Sequence, residues 1–125
     1  MISFNLFTIE DGSPIYLQIL RFIKRGVVSG AIQDGDELPS RRVLSSLLGI
    51  NPNTVQKAYR TLEEEGLIES RSGAKSYMVL GHETIEHIRS ELLHSDIISV
   101  VNALKQSGIT KEEALRLIEQ NWEGA

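Results

Sequence analysis

The stretch "NPNTVQKAYRTLEEEGLIES", Asn51 to Ser70, decides the fold. The Asn51 side-chain oxygen can accept a backbone N–H that has no partner in a first helical turn, and Pro52 gives up a donor the helix does not use there. The spacing predicts a helix from Pro52 that Gly66 ends. Val55, Ala58, Tyr59 and Leu62 recur at the offsets of one buried stripe, whereas Asn53, Gln56, Lys57 and Arg60 recur at the same offsets on another side. Asn and Gln hydrogen-bond adenine bidentately, and Lys and Arg neutralise phosphates, so a helix presenting all four near its start suits a DNA major groove. A solvated amphipathic helix has the same polar face. The neighbouring segments decide between them.

Upstream, Ser40 caps a second helix that Gly49 closes in the left-handed conformation, with Val43, Leu44, Leu47 and Leu48 expected inside. Only Gly49 to Asn51 separate the two helices, which makes a helix-turn-helix. Further upstream, "SPIYLQILRFIKRGVVSG" predicts a first helix with Ser13 as cap, Pro14 at its first position and Ile15, Ile19, Phe22, Ile23 and Val27 on one stripe; Gly30 stops it. Gly26 inside it reads as a weak point costing about 1 kcal/mol relative to Ala. "IQDGDELP" between these helices reads as turn chemistry from Asp34 to Asp36, followed by Pro39, which no helix continues through. Downstream, "LIESR" and "SYMVL" read as strands joined by the turn "SGAK". Three helices followed by a hairpin form a winged helix-turn-helix, a mostly α fold with a small β-hairpin.

The 125 residues, 41% hydrophobic and 24% charged, suit one compact domain or a small domain with an appendage. Net charge is -4. Nine Lys/Arg balance nine Asp/Glu up to Leu80, and four face eight from Gly81 onward, so the excess acid lies behind the winged domain and turns its basic face toward a polyanion. No run of about eighteen apolar residues occurs, and "MISFNLFTIEDGSP" lacks a basic start and apolar core, so no membrane partner and a cytoplasmic location are expected. Cys is absent, which removes disulfides and thiolate metal sites. His87 and His94 share a helical face but lie about 10 Å apart along its axis, and His82 points elsewhere. Neither metal nor cofactor is expected, and Glu63 to Glu65 read as a solvated helix end. No nucleophile-elbow, P-loop or dinucleotide motif supports an enzyme.

Residues 81–125 form the second predicted unit, set off from a winged domain at 1–80. Three short amphipathic helices are expected there. Their apolar residues are Ile85, Ile88 and Leu92; then Ile97, Val100, Val101 and Leu104; then Ala114, Leu117, Ile118 and Trp122, behind a capping box of Thr110 and Glu113. They have little core of their own and either pack on the first helix or bury their stripes against another subunit.

The segment Glu37 to Val79 resembles the DNA-binding domain of the GntR family of bacterial transcription regulators. The matching features are "LPS", an Arg two residues after that Ser, "NTV.KA...LE.EGL", and a glycine-containing wing that ends in an aromatic residue. "NPNTVQKAY" with a short C-terminal part resembles the YtrA subfamily in particular. The resemblance implies a cytoplasmic, sequence-specific regulator of transcription that binds double-stranded operator DNA. It further implies a repressor of a transporter operon and a homodimer on a palindrome, held by the C-terminal stripes Ile85, Ile88, Leu92, Ile97, Val100, Val101, Leu104, Leu117 and Ile118.

Residue by residue, the resemblance places Ser40, Arg41 and Arg42 against the phosphate backbone. Two cations at a helix N-terminus oppose its dipole and make physical sense beside an anion. The recognition-helix start maps to Asn51, Pro52, Asn53, Thr54 and Gln56. Many members carry Arg where this chain has Pro52 and Gln56, so its base readout differs from theirs. Asn53 and Gln56 suit adenine, Thr54 a phosphate or thymine methyl, and Lys57 and Arg60 phosphate. Arg71, Ser72, Gly73 and Lys75 are the wing contacts, Lys75 standing in place of a second glycine. A small-molecule effector would have to bind at the dimer interface, and the sequence identifies none. The alternative is a winged-helix protein or RNA interaction module without operator specificity, in which the Arg41, Arg42, Asn53, Gln56, Lys57 and Arg60 side chains would tolerate charge removal.

Overall fold

The computed structural model describes residues 1–71, 73 and 75–124. The element order is α1 (Ile15–Ser29), β1 (Glu37–Leu38), α2 (Arg41–Leu48), α3 (Pro52–Glu64), β2 (Ile68–Ser70), β3 (Ser76–Met78), α4 (His82–Gln106) and α5 (Lys111–Asn121). Helices α1 to α3 with the antiparallel sheet form a winged helix-turn-helix. It lies in a compact unit, Met1–Leu92; a second unit spans Leu93–Ala125.

The caps of the helix-turn-helix form as the sequence predicts. Ser40 Oγ accepts from Val43 N at 3.2 Å, Asn51 Oδ1 accepts from Asn53 N at 2.8 Å, and Pro52 opens α3. Gly49 closes α2 at φ 64°. Helix α1 starts differently. Ser13 does not cap it and Pro14 occupies the cap position. The Gln18 amide does the anchoring, donating to Glu10 O at 2.8 Å and Ser13 O at 2.9 Å while its Oε1 accepts from Glu10 N.

The core joins Ile19 and Ile23 of α1, Leu44 of α2, and Val55, Ala58, Tyr59 and Leu62 of α3, with Leu38 and Met78 from the sheet. Ile2 and Phe4 of the N-terminal segment complete it, Phe4 lying against Phe7 and Phe22 at ring-centroid distances of 5.9 and 5.0 Å. In α2 the expected stripe is only half right. Leu44 is buried and Leu48 half-buried, whereas Val43 and Leu47 are 47% and 66% exposed. Ser45 takes an inward position because its hydroxyl donates to Ile50 O at 2.6 Å, which satisfies a carbonyl of the tight turn.

The turn forms at Asp34 and Gly35 as expected, and a short strand follows it before α2. Glu37 and Leu38 pair antiparallel with Tyr77 and Ser76, giving a three-stranded sheet in the order β1-β3-β2. Ile68, Glu69 and Ser70 face Met78, Tyr77 and Ser76 across the wing hairpin. The strand end is tied down by Met78 N to Asp36 O at 2.8 Å and Leu80 N to Asp34 Oδ1 at 2.8 Å. Gly26 is a close-approach site. A Cβ there would lie 2.5 Å from Ile32 Cδ1, and Ile32 N donates to Gly26 O at 2.9 Å.

The C-terminal residues make two helices, not three. Between His82 and Gln106 there is neither Gly nor Pro, so Ser95 and Asp96 are carried inside one 25-residue helix. Ile88 and Leu92 are each 5% exposed; Ile88 belongs to the first unit's core and Ile85 packs against it. In the second unit, by contrast, no described residue is buried. There Leu93, Ile97, Val100, Val101, Leu115, Leu117, Ile118 and Trp122 are exposed and Leu104 is half-buried. Thr110 Oγ1 caps α5 from Glu113 N at 3.2 Å. Among the described residues no helix is long and apolar enough to cross a membrane.

Candidate nucleic-acid interface

Helix α3 carries two faces. Val55, Ala58, Tyr59 and Leu62 are buried, which leaves Asn53, Lys57 and Arg60 exposed and Thr54 and Gln56 half-buried. No Asp or Glu lies between Asn51 and Leu62, so this face offers amide, hydroxyl and cationic groups alone. The three glutamates follow at the far end of the helix. Two of them are engaged internally, Glu63 Oε2 accepting from Ser70 Oγ at 3.2 Å and Glu65 pairing with Lys24 at 3.1 Å.

The start of α2 supplies the other cations. Arg42 is exposed. Arg41 is half-buried, its guanidinium 5.2 Å from the centre of the Tyr59 ring, and its buried Nε has no hydrogen-bond partner among the described residues. Ser40 Oγ is the cap acceptor, which keeps its proton available to donate outward. Tyr59 is fully buried, as its place on the stripe predicts, and its hydroxyl donates to Pro39 O at 2.6 Å. Burial pushes the phenol well above the ordinary tyrosine range, and the Arg41 charge opposes this more weakly.

At the wing, Arg71 is already engaged. Its Nη2 lies 2.8 Å from Glu69 Oε1 and its guanidinium stacks 4.3 Å from the centre of the Tyr77 ring. Arg71 N donates to Lys75 O at 2.9 Å and closes the hairpin around Gly73, whose φ is 77°. Lys75 is exposed and needs no positive φ in place of the second glycine. Ser72 lies outside the described residues.

The first helix also reaches this face. Lys57 Nζ sits 4.1 Å above the centre of the Tyr16 ring, and an open recess of about 520 Å³ runs between Pro14, Ile15 and Tyr16 on one side and Asn51, Asn53, Thr54 and Lys57 on the other. Sequence reasoning passed over Tyr16. Its signal was an aromatic residue one position off the Ile15, Ile19, Ile23 stripe, which places it beside the core rather than in it. Ser40, Arg41, Arg42, Asn51, Asn53, Thr54, Gln56, Lys57 and Arg60 all lie on the helix-turn-helix; Arg71, Gly73 and Lys75 lie on the wing. His87 pairs with Glu91 one turn along α4.

Comparison with known proteins places this geometry. The chain is 33% identical over 115 residues to the uncharacterized HTH-type transcriptional regulator YhcF of Bacillus subtilis (strain 168), covering 92% of this chain and 95% of that one. It is 37% identical over 97 residues to the HTH-type transcriptional repressor YtrA of the same organism, covering 78% and 70%. Among solved structures, a GntR family transcriptional regulator from Listeria monocytogenes superposes with a TM-score of 0.76 at 30% identity, over 90% of this chain and 98% of that one. Residues 15–77, from the start of α1 to the second residue of β3, match the profile of the bacterial regulatory proteins of the gntR family, and the chain belongs to that family as a DNA-binding transcriptional regulator.

Proposed function

We propose that this protein is a homodimeric repressor that reads a near-palindromic operator with the Asn53, Gln56, Lys57 and Arg60 face of α3. The observation that carries the reading is that face itself, exposed or half-buried, free of acid, and fixed by a cap and a proline at its start. Asn53 and Gln56 meet base edges, while Lys57, Arg60, Arg41 and Arg42 meet phosphates. Arg71 and Lys75 add wing contacts, Arg71 after exchanging Glu69 for a phosphate. The repressor role is supported by the relative named as transcriptional repressor YtrA.

The dimer is supported by the second unit. It exposes Leu93, Ile97, Val100, Leu117, Ile118 and Trp122, and none of its described residues is fully buried, so these side chains gain hydrophobic stability only against another apolar surface. A second copy supplies it symmetrically, and two recognition helices then engage two half-sites. Ile85 and Ile88 are left out of this interface because the first unit's core occupies them, and Leu92 because it is already buried within the protomer. A DNA partner sets the protein in the cytoplasm.

In vitro selection of random duplex DNA on the purified protein tests the proposal. A palindrome should emerge, and its occurrences in the genome should name the regulated genes, a transport operon on the reading the resemblance implies. Selection that enriches no common sequence would contradict it.

A further inference from the structure

We infer that Tyr16, on α1 and outside the helix-turn-helix, is a positioning residue for DNA: it holds the Lys57 ammonium at the rim of a recess that receives a sugar-phosphate segment of the duplex. The inference rests on the reading of α3 as the DNA-facing helix. Lys57 Nζ lies 4.1 Å from the centre of the Tyr16 ring. The ring attracts the ammonium through its quadrupole without neutralising it, so the charge stays available to an anion. Among the described residues, no carboxylate lines the recess.

The remaining lining fits one chemistry. Thr54 offers a neutral hydrogen-bond donor, and Asn51, whose Oδ1 is committed to the cap, keeps its amide N–H groups. Pro14 and Ile15 give the opposite wall an apolar surface suited to a deoxyribose. A lysine that docks on a phosphate ordinarily loses rotamer freedom, and one already seated on a ring loses less. Tyr16 thus acts through Lys57, by preorganisation.

Phosphate contacts are independent of sequence, so the probe is a mixed-sequence duplex several helical turns long, with binding followed by fluorescence anisotropy across a salt series. Lys57→Ala should flatten the salt slope by about one unit per protomer. Tyr16→Phe keeps the ring face and should bind within about twofold of wild type, whereas Tyr16→Leu should bind about threefold more weakly and add no further loss to Lys57→Ala. Tyr16→Leu binding like wild type, or losses that multiply in the double variant, would overturn the inference while wild-type binding persists. In the unaltered protein the Tyr16 ring resonances should shift when duplex is added; resonances that stay fixed overturn it without any variant. A wild type that binds no duplex at low salt overturns the DNA reading and this inference together.

Discussion

The Tyr59 hydroxyl donates a 2.6 Å hydrogen bond to the carbonyl of Pro39, the residue before the cap of α2. That bond ties the middle of α3 to the start of α2 inside the core. Arg41 lies over the same ring, so one buried phenol fixes the relation between the basic start of α2 and the reading face of α3.

Tyr59→Phe keeps the ring but leaves the Pro39 carbonyl unpaired. It should destabilise the protein by about 1–2 kcal/mol in urea unfolding and loosen the alignment of Arg42 with α3. Wild-type stability in this variant would show the bond to be dispensable.

The same phenol predicts an alkaline limit. Its folded pKa is raised by burial above the unfolded value of about 10, so its contribution is fully present below that pH and is lost as pH rises beyond it. Unfolding midpoints should fall above about pH 10 in wild type and fall less in Tyr59→Phe. Parallel declines would contradict this.

Gly26 separates propensity from packing. On an exposed helix, Gly→Ala stabilises by about 1 kcal/mol. Here the new methyl would meet Ile32 Cδ1 at 2.5 Å and Cγ1 at 2.8 Å, and overpacking costs about 1–3 kcal/mol. Gly26→Ala should lower the unfolding free energy by a net of about 1 kcal/mol and so lower the urea midpoint; a raised midpoint would mean that Ile32 yields freely.

The local chemistry of the helix-turn-helix was legible because it is self-contained. Ser40, Gly49, Asn51 and Pro52 declare their positions through backbone needs, and Tyr59 declares its burial through the period of Val55, Ala58 and Leu62. What was not legible depends on partners distant in sequence. Glu37 and Leu38 form a strand only because Tyr77 and Ser76 lie beside them, and Gly26 is required only because Ile32 folds over it. Ser13 lost the cap of α1 to an arrangement built around Gln18. The break expected between the Ile85, Ile88, Leu92 helix and the Ile97, Val100, Val101, Leu104 helix does not occur, because α4 runs through it without glycine or proline. In the candidate site, Tyr16 stayed hidden because its neighbour Lys57 lies on another helix.

The unit boundary sets where the chain can be cut. A chain ending at Leu92 should fold and remain monomeric, with DNA affinity reduced to that of one half-site; a chain ending at Leu80 should be less stable because Ile85, Ile88 and Leu92 are gone. Ile97→Asp with Val100→Asp in the full chain should likewise sediment as a monomer. A dimer persisting in either the Leu92 truncation or this double variant would place the interface elsewhere.

The central claim is that the polar face of α3, with the start of α2, reads DNA. Its most direct test is Arg42→Ala with Lys57→Ala, assayed on a selected duplex across a salt series beside circular dichroism of the free protein. Both side chains are exposed, so the fold should be unchanged, while affinity at physiological salt should fall about a hundredfold and the salt slope should flatten by about two units per protomer. A folded double variant that binds with wild-type affinity would contradict the account.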